Sequence, residues 1–197
     1  GLMGAGRMGF FSWIILGLIV LVLVFVIAVY NQLVRLRALV KEAFSGITVQ
    51  LRRGADLIPN LVETGQGYAS HERETFEEVT RARAETAKAG NVEATAQADA
   101  HMTSLLGRIF AVAEAYPELK ANTNFLQLQD QLASIESELQ GARRYYNATV
   151  RDLNTTVQSF PPVLVARPLG FNEEPFYQDE DPAIQSAPKV SFGRKTA

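Results

Sequence analysis

The chain has 197 residues, 47% hydrophobic and 20% charged, which suits one ordinary domain and excludes a disordered or fibrous chain. Lys and Arg number 19 against 21 Asp and Glu, and a net charge of -2 argues against a nucleic-acid-coating protein. With Cys 0, disulfide scaffolds, Cys-ligated zinc, thiol catalysis and acylation on Cys fall away, and His 2 leaves little for a His-rich metal site.

The averages conceal a segregation, because no charge lies between Arg7 and Arg35. After a short N-terminal tail (1–8), residues 9–30 read GFFSWIILGLIVLVLVFVIAVY. As a helix rising ~1.5 Å per residue this run covers roughly 33 Å, enough to cross a hydrocarbon core of ~30 Å. A cleaved signal peptide has a shorter apolar core and a small-residue cleavage site, and Ala28-Val29-Tyr30-Asn31 is a poor one. Phe10, Phe11 and Trp13 at one end and Tyr30 at the other set amphipathic rings at the two headgroup levels. A single-pass transmembrane helix is expected, with the lipid bilayer as its partner. The span has no GxxxG, and Gly6 stands where a myristoylation signal needs Ser or Thr. Arg35, Arg37 and Lys41 after the span outweigh Arg7 before it, which leans towards a cytoplasmic main domain by about one charge.

Leu33, Leu36, Val40, Phe44, Ile47 and Leu51 recur at helical spacing, and no breaker separates them from Tyr30. The membrane helix is therefore expected to run on into a soluble bundle (31–160), carrying Arg52 and Arg53 beyond reach of the headgroups. Pro59 interrupts the pattern: the helix either kinks there or a new one starts with Asp56 near its cap. Leu61, Tyr68, Phe76 and Val79 keep helical spacing, and Gly90-Asn91 is a stop. A third helix is predicted from Val92 to about Ala115, with Met102, Leu105, Leu106, Ile109 and Val112 inward, ended by Tyr116-Pro117. Leu128, Leu132, Ile135, Leu139, Ala142, Tyr146, Val150, Leu153, Val157 and Phe160 predict one last helix of about ten turns.

Six of the 8 Pro fall from Pro161 onward, so residues 161–197 read as an extended, non-helical strap. Leu169, Phe171, Phe176 and Tyr177 are its apolar anchors, with Val190 and Phe192 further on, and Asp179-Glu180-Asp181 begins a stretch in which disorder is the alternative. The strap packs back on the bundle or docks on a neighbour. The fold class is all-α: a transmembrane helix continuous with an antiparallel long-helix bundle, then a Pro-rich strap.

No catalytic constellation emerges. His71-Glu72 lacks the second His of HExxH, and Tyr68 and Ala98 stand where a di-iron bundle needs Glu three residues before His. There is no P-loop, GxGxxG or GxSxG. Glu42, Asp56, Glu63, Glu72 and Glu114 read as surface residues or local ion pairs, with Arg52, Arg53 and Asp56 at pairing distance along one helix. No enzyme activity, metal or cofactor is expected.

The stretch YNQLVRLRALVKEAFSGITVQLRRGADLIPNLVETGQGYASHERETFEEVTRAR resembles the hallmark region of the LemA family, as do AYPELKANTNFLQLQDQL, ARRYYNATVRDLN and FPPVLVARPLGFNEEPFY. Gly54 departs from the larger residue usual before the Asp. The resemblance implies a bacterial envelope protein with an N-terminal membrane helix and a helical bundle, without established enzyme activity, in the cytoplasmic (inner) membrane. A relative acting in the formation of magnetosome membranes points to membrane organisation. Relatives with lipoprotein-type signals place the domain outside the cytoplasm, against the charge balance, and sidedness stays open. The leading expectation is a scaffold that self-associates into a homo-oligomer, with Asp56, Pro59, Asn60, Glu63, Tyr116, Pro117, Tyr145, Tyr146 and Asn147 at its interfaces or structuring the bundle through caps and internal hydrogen bonds. The alternative is an accessory or sensory subunit bound to another envelope protein, such as a membrane protease.

Overall fold

In the computed structural model, residues 2–177 are described, with side chains from Gly9 on; Asp179-Glu180-Asp181, Val190 and Phe192 lie outside them. Among the described residues every regular element is helical: α1 (Leu2–Tyr68), α2 (Arg73–Lys88), α3 (Val92–Ala113), α4 (Pro117–Lys120), α5 (Thr123–Gln158) and α6 (Val163–Ala166). The 67 residues of α1 make a rod about 100 Å long. Its first part is long and apolar enough to cross a membrane and is only 6% buried in its most apolar window. The helix then continues without a break as the first helix of the bundle.

Of the two alternatives at Pro59, a new helix with Asp56 near its cap is not seen, because α1 passes through. A proline lacks the N–H that would bond the carbonyl four residues back. That carbonyl, on Ala55, instead accepts the Arg83 Nε–H of α2 at 2.9 Å. The orphaned acceptor becomes a docking point for the neighbouring helix. The helical spacing through Tyr68 to Phe76 is broken just after Gly65 and Gly67: the chain turns through a short 3-10 segment, Ser70–Glu72. The Ala69 N–H bonds the Gly65 carbonyl at 2.8 Å. Gly65 lets the Phe76 ring of α2 come this close, since a Cβ there would overlap the ring's edge at Cε1 and Cζ. At Gly54 the opposite holds, because a Cβ would sit in ordinary contact, 3.7 Å from Ile135 Cγ2.

Asn91 closes the α2–α3 turn by accepting the Ala94 N–H at 2.7 Å, and Asn122 starts α5 by accepting that of Phe125 at 3.0 Å. Pro117 occupies the first turn of α4, where its missing donor costs nothing. The 36 residues of α5 then return antiparallel along α1. Far from the membrane segment, Ile58 and Leu61 of α1 pack with Phe76 and Val79, Leu105 and Ile109, and Phe125 and Leu132, a four-helix core. Nearer to it, Leu33, Val40 and Ile47 meet Leu139, Tyr146, Val150 and Leu153. There the strap supplies the third wall through Val165, Ala166, Phe171 and Tyr177.

Two features where α5 passes into the strap differ from expectation. Residues 163–166 form one helical turn, its first N–H bonding back to Ser159, where Pro161 and Pro162 suggested extended chain. Phe160 lies beyond the end of α5 and points away from the core, 78% exposed.

The Pro59–Arg83 arrangement makes a coupling prediction. Arg83→Met should lower stability by about 1–3 kcal/mol in urea unfolding, since it leaves a half-buried carbonyl unpaired. In a Pro59→Ala background, where the backbone N–H reclaims Ala55, the same change should cost clearly less; equal costs in both backgrounds would refute the link.

Candidate functional site

The densest polar chemistry lies where the strap crosses α5 and reaches α3. Asn147 and Asn154 project from one face of α5, two turns apart. Asn154 Nδ2 donates to the Glu174 carbonyl at 2.9 Å while its Oδ1 accepts the Glu174 N–H at 2.8 Å. Asn147 does the same with Tyr177, at 3.0 and 2.8 Å. Each amide presents one acceptor and two donors, so it satisfies an extended backbone as a neighbouring strand would. The spacing matches: seven helical residues rise about 10.5 Å, and three extended residues cover about 10 Å. Between them the Tyr146 hydroxyl donates to the Pro175 carbonyl at 2.8 Å.

At the end of this run Tyr177 enters a buried charge cluster. Its hydroxyl donates to Asp99 Oδ2 at 2.6 Å. Arg143 of α5 grips the same carboxylate, with Nη2 at 2.7 Å from both oxygens and Nε at 3.0 Å from Oδ2, and reaches Glu136 with Nη1 at 3.1 Å. The Asp99 side chain is 4% exposed and that of Arg143 12%. Burial opposes the Arg143 charge, yet the Asp99 carboxylate overcomes this and raises its pKa. Burial, then the adjacent Asp99 charge, pushes the Tyr177 hydroxyl far up. Burial, with the Glu174 and Glu93 carboxylates, pushes Tyr146 up to about 12. Both phenols therefore stay neutral donors throughout the physiological range.

Several expected site residues do not gather here. Asp56, Pro59 and Glu63 are exposed on α1, and Tyr145 is 50% exposed on α5. Asn60 and Glu63 border an open groove of about 670 Å³ with Tyr68, Asn122 and Gln131. The Tyr116 hydroxyl makes a long contact, 3.5 Å, to Glu72. Arg53 reaches across to Glu138 at 2.8 Å rather than along its own helix to Asp56. Tyr146 and Asn147 are central, and so are two of the four strap anchors, Phe171 and Tyr177, each 2% exposed. Phe176 instead faces outward at 46%, because the extended strap alternates its sides and only one can meet the bundle, and Leu169, 49% exposed, lies on the turn before it. Phe10, Phe11 and Trp13 lie bare on α1, whereas the Tyr30 ring meets Phe171 edge-on at 5.8 Å.

Sequence reasoning passed over Asp99, Arg143 and Asn154. A signal existed for Asp99, which falls on the inward stripe of α3, where a carboxylate demands a partner. Among the described residues no group of three or more His, Cys, Asp or Glu comes together to hold a metal ion.

An apolar helix running unbroken into an antiparallel bundle, closed by a hydrogen-bonded strap, defines a helical-bundle protein with a candidate membrane span. A family model described as LemA family matches residues 43–192, and the chain belongs to that family. It is similar to Protein LemA of Metamycoplasma hominis, 26% identical over 75% of this chain and 68% of that one. It is also similar to Magnetosome protein MamQ 2 of Paramagnetospirillum magneticum, 23% identical over 77% of this chain and 65% of the relative. The MamQ protein of Magnetospirillum gryphiswaldense matches at 21% over the same shares. The chain thus spans about two thirds of these relatives' length.

Arg143→Met strands a buried carboxylate and should cost about 3–5 kcal/mol, whereas Tyr177→Phe removes one hydrogen bond to a charge and should cost about 1.5–3 kcal/mol. Equilibrium urea unfolding distinguishes the two; a Tyr177→Phe protein as stable as the parent would show that the hydroxyl contributes nothing. For pH the sign is fixed by the raised folded pKa of the phenols. Their stabilisation is complete below the unfolded tyrosine value of about 10 and is lost as pH climbs through about 12. Proteolysis of the strap should therefore stay constant from neutral pH to about 10 and accelerate above it, and an onset near neutrality would contradict this assignment.

Proposed function

We propose that this chain is a non-enzymatic scaffold, held in the cytoplasmic (inner) membrane by α1, that self-associates and organises or shapes the membrane. The observation that carries the reading is the continuity of α1, through which any orientation of the bundle is imposed on the span without a flexible linker. The likeness to magnetosome proteins supports work at a membrane. Because the strap closes its own bundle over residues 161–177, self-association rests on other exposed positions, such as Val49 and Tyr145, 53% and 50% exposed.

A second reading, an accessory subunit for another envelope protein, is favoured by the groove bordered by Asn60, Glu63, Asn124, Gln127 and Gln131, whose amides suit a polypeptide backbone. The mass of the full-length protein in detergent and in nanodiscs separates the two. The scaffold predicts a defined homo-oligomer that persists in the bilayer. A monodisperse monomer in both preparations ends that reading and turns attention to the groove.

A further inference from the structure

Exposure along α1 shows where the bundle begins. From Ile14 to Val24 the large side chains are 50–67% exposed. Phe25 drops to 36%, Val26 packs against the core, Val29 is 5% exposed and Leu33 0%. Yet the first charge after the span is Arg35. The foot of the bundle therefore overlaps the last two turns or so of the charge-free run, about 13 Å of helix from Val26 to Val34. Whatever wraps α1 at that level shares the depth of the bilayer boundary.

What wraps it is the turn from Phe160 to Leu169 together with Phe171. The inward side of this turn, Val165 and Ala166, is buried against α1 and α5. Phe171 is fixed by the Tyr30 ring at 5.8 Å and by the Arg37 guanidinium over its face at 4.6 Å. The outward side is apolar as well: Phe160 is 78% exposed, Leu164 64% and Leu169 49%. Among the described residues outside α1, Phe160 and Leu164 are the most exposed large hydrophobic side chains. The charge pattern agrees with a lipid surface. Between Asp152 and Glu173 the chain carries a single charge, Arg167, and α1 offers Arg35, Arg37 and Lys41 before its first acid, Glu42.

We propose that the Phe160–Leu169 turn is a second membrane contact. Phe160, Leu164 and Leu169 enter the boundary between headgroups and acyl chains beside α1, and Arg35 and Arg167 face anionic headgroups. This rests on the reading that α1 spans the bilayer. A lone helix is free to spin and tilt about its axis; a second contact displaced from that axis fixes both, so the bundle stands in one orientation on the membrane.

The single native Trp makes the test direct. Full-length protein is reconstituted in phosphatidylcholine–phosphatidylglycerol vesicles with and without lipids brominated on the upper acyl chain. Trp13 reports the span itself. In a Trp13→Phe background, Phe160→Trp and Leu164→Trp report the turn at positions whose exposure accommodates the larger ring. Leu126→Trp, 44% exposed and about 50 Å further along α5, is the control outside the membrane. Brominated lipid should quench Trp13, Phe160→Trp and Leu164→Trp about twofold or more, leaving Leu126→Trp unchanged, and aqueous iodide should do the reverse for the turn and the control. Quenching of Trp13 alone, with both turn variants open to iodide, would overturn the proposal. Protection of the turn from bromine and iodide alike would overturn it too, because a protein surface would then cover it. No quenching of Trp13 would instead remove the spanning reading beneath it.

Discussion

The seam between α1 and α5 is longer than the helices that cover its far half, and most of the structure follows from how that seam is closed. At 36 residues α5 measures about 54 Å, while α3 with 22 residues reaches about 33 Å. Over the remaining ~20 Å, two helices alone would leave Leu33, Val40, Tyr146 and Leu153 open to water on one side. Six extended steps from Phe171 to Tyr177 cover about the same distance, running from the Tyr30 level to the start of α3. The strap is thus a structural wall of the bundle rather than a tail laid upon it.

A wall made of extended chain brings unpaired backbone donors and acceptors against a helix, which has none to spare. The two asparagines of α5 resolve this, and in doing so they set the register of the strap to the residue. The buried Asp99–Arg143 pair acts differently. Such a pair adds little net stability over an apolar substitute, but breaking it leaves a bare charge. Its effect is to reject any arrangement in which Tyr177 is absent or shifted. The exposed pairs, Arg53–Glu138 and Arg108–Glu78 among them, are each worth well under about 1 kcal/mol and specify far less.

Periodicity made the helices legible. The stripes of α3 and α5 lay open because each alternates every three to four residues against a polar face, and Gly90-Asn91 marked the turn between α2 and α3. Two features escaped because they depend on what lies across the core. Pro59 reads as a breaker only until Arg83, on another helix, takes the freed Ala55 carbonyl. The turn at Ala69 follows Gly65 and Gly67, which the apolar spacing alone passes over, and it forms where Gly65 admits the Phe76 ring. At the site, Tyr146, Asn147, Phe171 and Tyr177 were readable as types, whereas the pairing of Asp99 with Arg143 was not, since no local spacing joins residues 44 positions apart.

These devices act in one direction along the molecule. The Arg83 contact holds α2 to α1 at the one place where α1 lacks its own hydrogen bond, so the rod stays continuous under the bundle. The strap fastens α5 to α3 and, through Phe171, to Tyr30 and Arg37 at the end of the charge-free run. A displacement at the far end of the bundle therefore meets no hinge among the described helices before it reaches the span. A protein built to flex between membrane and domain would place glycine or a polar linker after Tyr30. Here Leu33, Val40 and Ile47 continue the helix inside a packed core, which favours transmission of orientation over freedom of movement.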